Sequence, residues 1–161
     1  MFMNEALVAD EVFMGRALAL AARAWDEGEV PVGAVVVLDG EIVGEGWNRP
    51  IGSHDPTAHA EIQALRAAGI AVGNYRLVDC ELYVTLEPCV MCSGAIMHAR
   101  VKRVIFGARD AKTGACGSVV DLFGDGRLNH HTSIVPAVRA DECILLLKQF
   151  FHERRLQKRS P

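Results

Sequence analysis

The sequence is short of several features, and each absence removes a class of protein. No run of about 20 uncharged apolar residues occurs in its 161 residues, so no membrane span and no membrane partner is expected. The opening MFMNEALVADE is acidic and lacks the basic start of a signal peptide. The five cysteines are an odd number without the spacing of a secreted disulfide framework. A reducing, cytoplasmic setting is expected, where a close cysteine pair is more often metal-binding or catalytic than disulfide-bonded. Low-complexity segments, internal repeats and linkers are missing as well, which points to a single domain over 1–161. Half the residues are hydrophobic, enough for a core without staples.

The net charge of −3 and a pI of about 6.1 do not by themselves suggest a nucleic-acid binder. The distribution is less uniform. In residues 148–161, Lys148, Arg154, Arg155, Lys158 and Arg159 stand against Glu153 alone, leaving +4 in the tail and −7 elsewhere. Such a tail reads either as a solvated helix end or as the footprint of a polyanion site.

Apolar residues at Val12, Phe13, Leu18, Ala21, Ala22 and Trp25 recur near helical period, and Gly28 is a plausible stop. In VPVGAVVVLDGEIVGEGWN two β-branched runs flank Asp39-Gly40, a strong hairpin signal. The run 32–38 is apolar almost throughout and should be buried on both faces. RPIGSHDPT (49–57) reads as a loop. AHAEIQALRAAG (58–69) reads as a helix with Thr57 as N-cap and Gly69 as stop. ELYVTLE is a strand, PCVMCSGAIMHA a helix opened by Pro88, and KRVIFGA another strand. A Gly-containing loop, a possible short strand in TSIVPAV and a final basic helix at about 140–158 complete the chain. The strands at 82–86 and 103–107, joined by a helix, should run parallel. The order predicts an α/β sandwich with a mixed sheet.

Cys89 and Cys92 lie three apart. The pair alone fits a thioredoxin-like redox centre, half of a zinc site, or two buried core thiols. A redox pair would want a different lead-in from Glu87-Pro88, and a four-cysteine zinc site would want a second close pair. Cys80, Cys116 and Cys143 are isolated. The partner is found instead in TAHAE, where His59 and Glu61 open the preceding helix. H-x-E followed by P-C-x-x-C is the signature of the zinc nucleoside deaminases. Three ligands, His59, Cys89 and Cys92, leave one tetrahedral position for water, whereas structural zinc normally has four. Glu61 is left free to hold that water and carry protons, as hydrolytic deamination requires.

Beyond the zinc motifs, EVPVGAVVV, GWNRPIGSHDPTAHAEI, NYRLVD, LYVTLEPCVMCSGAI, RVIFGARDAKTGA and ADEC…FF resemble the bacterial tRNA-specific adenosine deaminases, over about residues 10–156. The resemblance implies a cytidine deaminase-like three-layer α/β/α sandwich around a mixed five-stranded sheet. It also implies one zinc ion per subunit, a homodimer, and conversion of the wobble adenosine in an arginine tRNA anticodon to inosine. Glu61 would be the proton shuttle. Asn48 would hydrogen-bond the flipped-out base, while Val30 and Ala58 would line its pocket. Asp110, Lys112 and Asn129 would contact the anticodon stem-loop, one of Phe150 and Phe151 would stack on an unpaired base, and Arg154 and Arg155 would hold phosphate. Adjacent helical positions point about 100° apart, so Phe150 and Phe151 should not be buried equally. Two alternatives stay open: a small-molecule guanine or cytosine deaminase of the same fold, and a non-catalytic zinc-binding RNA adaptor with Cys116 as fourth ligand. The acidic Asp121 and Asp125 are unfavourable to phosphate nearby.

Overall fold

The computed structural model describes residues 2–160, with side chains from residue 5 onward; Met1 and Pro161, the ends of the expected domain, lie outside them. The elements run α1 (Phe2–Asp26), β1 (Gly33–Leu38), β2 (Glu41–Trp47), α2 (Pro50–Ser53), α3 (Ala60–Val72), β3 (Glu81–Leu86), α4 (Val90–Ala99), β4 (Arg103–Ala108), β5 (Ser133–Val135) and α5 (Ala140–Arg159). One mixed sheet has the order β2-β1-β3-β4-β5. β1 is antiparallel to β2 and β3, and the β3–β4 and β4–β5 pairs are parallel.

The hairpin forms where Asp39-Gly40 predicts it. Both residues have positive φ (51° and 78°), the backbone that a two-residue turn with the right twist demands. β1 is buried through Val37 because strands flank it on both sides and helices cover both faces. On one face, Met14, Ala17 and Leu20 of α1 and Cys143 of α5 pack over Val35, Val37, Tyr83 and Ile105. On the other, Ala60, Ala64, Leu65 and Ala68 of α3 and Ile96 of α4 pack over Ala34, Val36, Leu82, Val84, Val104 and Phe106. Alternate residues of each strand therefore feed two cores, and the result is the expected three-layer α/β/α sandwich.

The helices depart from the sequence reading in detail. α1 buries Asp10, Met14, Ala17, Ala21 and Ala24, while Val12 and Ala22 face solvent. Small alanines win that face because Gly33 of β1 approaches the α1 backbone directly: a Cβ on Gly33 would sit 2.0 Å from the Ala17 carbonyl. The 49–57 segment contains the short helix α2. α3 runs past Gly69 to end at Gly73, whose φ of 74° suits a left-handed cap. Its N-cap is His59, since Thr57 turns its N–H and hydroxyl to Asp55 instead. Pro88 lies outside α4, whose N-cap is Cys89.

Register brings the functional segments to one edge of the sheet. Gly33 pairs with Trp47, Ala34 with Val84, and Leu86 with Ala108. The segment before β1 and those after β2, β3 and β4 consequently meet at the carboxyl ends of the parallel strands, the usual place for a ligand in an open α/β sheet.

Candidate metal centre and active site

His59 and Cys89 are both N-caps in extended conformation, and each projects its side chain from the start of a helix. Cys92 is in the first turn of α4 and buried. His59 Nδ1 stands 3.7 Å from Cys89 Sγ and 3.6 Å from Cys92 Sγ. The three donor atoms lie within 4.8 Å of one another. Tetrahedral zinc with bonds of about 2.0 Å to nitrogen and 2.3 Å to sulfur separates such donors by about 3.6 Å, so the cluster has the size of a zinc site. Its charge chemistry agrees. Contact with Cys92 pulls the Cys89 thiol down to about 4, and the same contact, with burial, pushes Cys92 up. Two thiolates this close need a cation before both can ionise. The contact with Cys89 raises the His59 pKa.

Glu61, in the first turn of α3, is 4% exposed. Burial is the main reason that its pKa rises to about 6; a divalent cation beside it would act in the opposite direction. It lies outside the group of donor atoms but touches Cys92. Cys116 does not join the donors either, and burial pushes its thiol up to about 12. Among the described residues the centre therefore has three protein ligands and a free carboxylate, which is the open arrangement of a catalytic zinc rather than a closed structural one.

Asn48 sits directly after β2, and its Oδ1 accepts the Ala60 N–H at 2.9 Å. This closes the start of α3, where His59 supplies no side-chain cap. With Oδ1 engaged, the Nδ2 group is the donor left for a ligand. Ala58 is buried, and its carbonyl accepts the Arg49 N–H at 2.9 Å. Val30 is half-buried against the core beneath α3.

Two buried carboxylates in this region escaped the sequence reading. Glu29 (1% exposed) accepts the N–H groups of Ile51 at 3.1 Å and Gly52 at 2.9 Å. It thereby fixes the turn that follows Asn48. Glu87 holds the loop after β4 in the same manner. The available signal was a glutamate set beside an apolar run in both EVPVG and TLEPC.

The expected RNA contacts divide. Asp110 and Lys112 lie on the exposed loop after β4, with the Asp110 carboxylate accepting the N–H groups of Lys112 and Thr113. Phe151 is 45% exposed and, with Ile144 and Leu147, lines a groove of about 680 Å³ bordered by Arg109, Lys112, Lys148, His152 and Arg155. Phe150 is 5% exposed and packs edge-on against Trp25 at 5.3 Å, so burial removes it from the set of contacts. Arg154 is exposed but engaged: its guanidinium donates to the Gly28 carbonyl at 2.5 Å and lies over the Phe150 ring. Asn129 is not with the others. It precedes β5, where His130 and Thr132 donate to the Val101 carbonyl at the opposite edge of the sheet.

Residues 7–108 match the family model described as the cytidine and deoxycytidylate deaminase zinc-binding region. The chain is 53% identical to the tRNA-specific adenosine deaminase of Haemophilus influenzae over 93% of its own length and 87% of that protein. It superposes with a TM-score of 0.82 on a solved structure from work on A-to-I editing by tRNA:A34 deaminases, at 43% identity, covering 84% of this chain and 98% of that one. A guanine deaminase structure from Bacillus subtilis superposes with a TM-score of 0.60 at 49% identity, covering 62% of this chain and 64% of that one. On its motifs, its zinc-sized donor cluster and these likenesses, the chain belongs to the cytidine and deoxycytidylate deaminase zinc-binding family, within its tRNA-specific adenosine deaminase branch.

Proposed function

We propose that the chain hydrolytically deaminates the wobble adenosine of a tRNA anticodon to inosine, with an arginine tRNA as substrate. The observation that carries this reading is a three-donor zinc cluster with a buried carboxylate beside it, in a chain 53% identical to a tRNA-specific adenosine deaminase. Zinc, when bound by His59, Cys89 and Cys92, serves as a Lewis acid that brings the pKa of its water to about 7. The flipped-out adenine is walled by Val30 and Ala58, and Asn48 Nδ2 donates to an acceptor on the purine edge. Glu61 takes a proton from the water that adds to carbon 6 and passes it to a ring nitrogen. It then takes the remaining proton of the added hydroxyl and delivers it to the amino group, which leaves as ammonia as the C6 carbonyl forms. Burial supports this role, since it keeps Glu61 from bulk water beside the three donors, where its carboxyl group can take and return protons.

The anticodon loop would lie along the groove beside the loop after β4. Phe151 stacks on an unpaired base there, and Lys112, Lys148 and Arg155 face phosphate. This local positive charge accounts for tRNA binding by a chain of net charge −3. A homodimer is supported by the outer face of α3 and α4. Ile70, 85% exposed, and Tyr75 border a largely apolar groove there with Leu65 and Ala95. No described helix is long and apolar enough to cross a membrane, and the substrate would place the protein in the cytoplasm.

Incubation with an arginine tRNA transcript carrying adenosine at the wobble position is expected to yield inosine. Free adenosine, guanine and cytosine run in parallel should be turned over poorly. Efficient turnover of free guanine with an unedited transcript would overturn the proposal in favour of a small-molecule deaminase. Phe151→Ala should raise KM for the anticodon stem-loop about tenfold, the loss expected for one base–aromatic stack, with kcat little changed. Steady-state kinetics on a synthetic stem-loop measures this.

A further inference from the structure

We infer that Glu87 is a positioning residue that binds the substrate loop 109–118 to the end of β3, so that its contribution is felt in polynucleotide binding rather than in the chemical step. This rests on the reading that the loop touches RNA. The Glu87 side chain is 2% exposed, and both of its oxygens are engaged. Oε1 accepts the Asp110 N–H at 3.1 Å and the Ser118 hydroxyl; Oε2 accepts the N–H groups of Cys116 at 3.0 Å and Ser118 at 3.2 Å. All four partners are donors, and three are backbone groups. Only a carboxylate offers acceptors on both sides; a glutamine in its place would aim an NH₂ group at two of the donors.

The main chain reinforces the clamp. Glu87 N–H donates to the Ala108 carbonyl, and Ala115 N–H to the Pro88 carbonyl, each at 2.8 Å. Gly114 makes room for it, since a Cβ there would stand 2.4 Å from Glu87 Oε2 and 2.6 Å from the Asp110 carbonyl. Order then propagates outward: Asp110, held by Glu87, in turn holds Lys112 and Thr113. Glu87 is not among the metal donors, and no hydrogen bond joins it to Glu61 among the described residues. Releasing the loop leaves the chemistry intact but makes the substrate bear the cost of ordering it.

The test uses the full-length, zinc-loaded chain and the variants Glu87→Gln and Ser118→Ala. Glu87→Gln is expected to speed amide hydrogen exchange at Asp110, Cys116 and Ser118 at least about tenfold, as the loss of charge-assisted hydrogen bonds implies. It should also raise KM for the stem-loop about tenfold, with kcat within about threefold and zinc stoichiometric. Ser118→Ala removes one donor and should change both readouts about two- to threefold in the same direction. That variant decides the matter should Glu87→Gln not fold. Unchanged exchange in the loop overturns the inference. So does a fall in kcat or in zinc content with KM unchanged, which would make Glu87 a support of the metal helix. If the parent chain forms no inosine, the functional reading fails, and the exchange measurement alone decides whether Glu87 clamps the loop.

Discussion

Glu61→Ala is expected to carry a full complement of zinc and to form inosine roughly 10³- to 10⁴-fold more slowly than the parent chain, the upper part of the range of about 10²- to 10⁴-fold that general acid–base groups contribute. Zinc is retained because the donor group consists of His59, Cys89 and Cys92, and Glu61 lies outside it. Turnover is lost because the reaction moves two protons, one from water to the ring nitrogen and one from the added hydroxyl to the leaving amine, and among the described residues no second buried carboxylate joins the donors. Glu29 and Glu87 are also buried, but each of their oxygens already accepts a backbone N–H from a loop it holds. Glu61→Gln should be equally inactive, since an amide keeps the shape but cannot carry the proton. Neither variant should unfold the chain. In the zinc-free chain a carboxyl group whose pKa is raised by burial costs the folded state energy, so its removal relieves a penalty there. Metal analysis, thermal unfolding and a single-turnover inosine assay give the three readouts. Near-normal inosine formation by either variant would remove Glu61 from the mechanism.

The parts of this site that were legible in the sequence are those encoded by short spacing. His59 and Glu61 are two residues apart, Cys89 and Cys92 three, and each pair falls at a helix start marked by its neighbours. The Asp39-Gly40 turn and the doubly buried β1 run are equally local signals. What the sequence hides is the set of interactions between distant segments. Glu29 and Glu87 bond to amides 22 to 31 residues away, and no periodicity marks an acceptor that serves a loop. The N-cap of α3 shows the same effect: Thr57 is the better local candidate, but Asn48, twelve residues upstream, reaches the Ala60 N–H and Asp55 takes Thr57. Of the adjacent pair Phe150 and Phe151, geometry required one to be more exposed than the other. The distant Trp25 on α1 packs on Phe150 and marks it as the buried one, and Arg154 beside it is tied to the Gly28 carbonyl.

Gly46→Ala should destabilise the chain by about 3 kcal/mol or more, at or beyond the top of the usual overpacking range, and weaken zinc binding at least about tenfold in the molecules that remain folded. Gly46 and Gly44 alternate on β2, and both face α3. A Cβ at Gly46 would lie 2.4 Å from the Ala60 carbonyl and 2.5 Å from the Ala64 nitrogen. These are backbone atoms, so no rotamer change relieves the overlap, and the first turn of α3 must move. That turn begins at His59 and includes Glu61, while Asn48, two residues beyond Gly46, is hydrogen-bonded into it. Cys89 and Cys92 belong to α4 and do not follow, so the 3.6 and 3.7 Å separations between His59 and the thiols are lost. Gly44→Ala provides the contrast. Its Cβ would meet the Ala64 carbonyl at 2.4 Å and the Ala68 nitrogen at 2.6 Å, one turn farther from the metal. It should cost similar stability but change zinc affinity by less than about threefold, because the wedge acts beyond the turn that carries the ligand. Denaturant unfolding and competition with a zinc chelator separate the two effects. Equal loss of zinc affinity in both variants would mean that the donors depend on the fold as a whole, and retained affinity in Gly46→Ala would mean that His59 is positioned without help from the contact between α3 and β2.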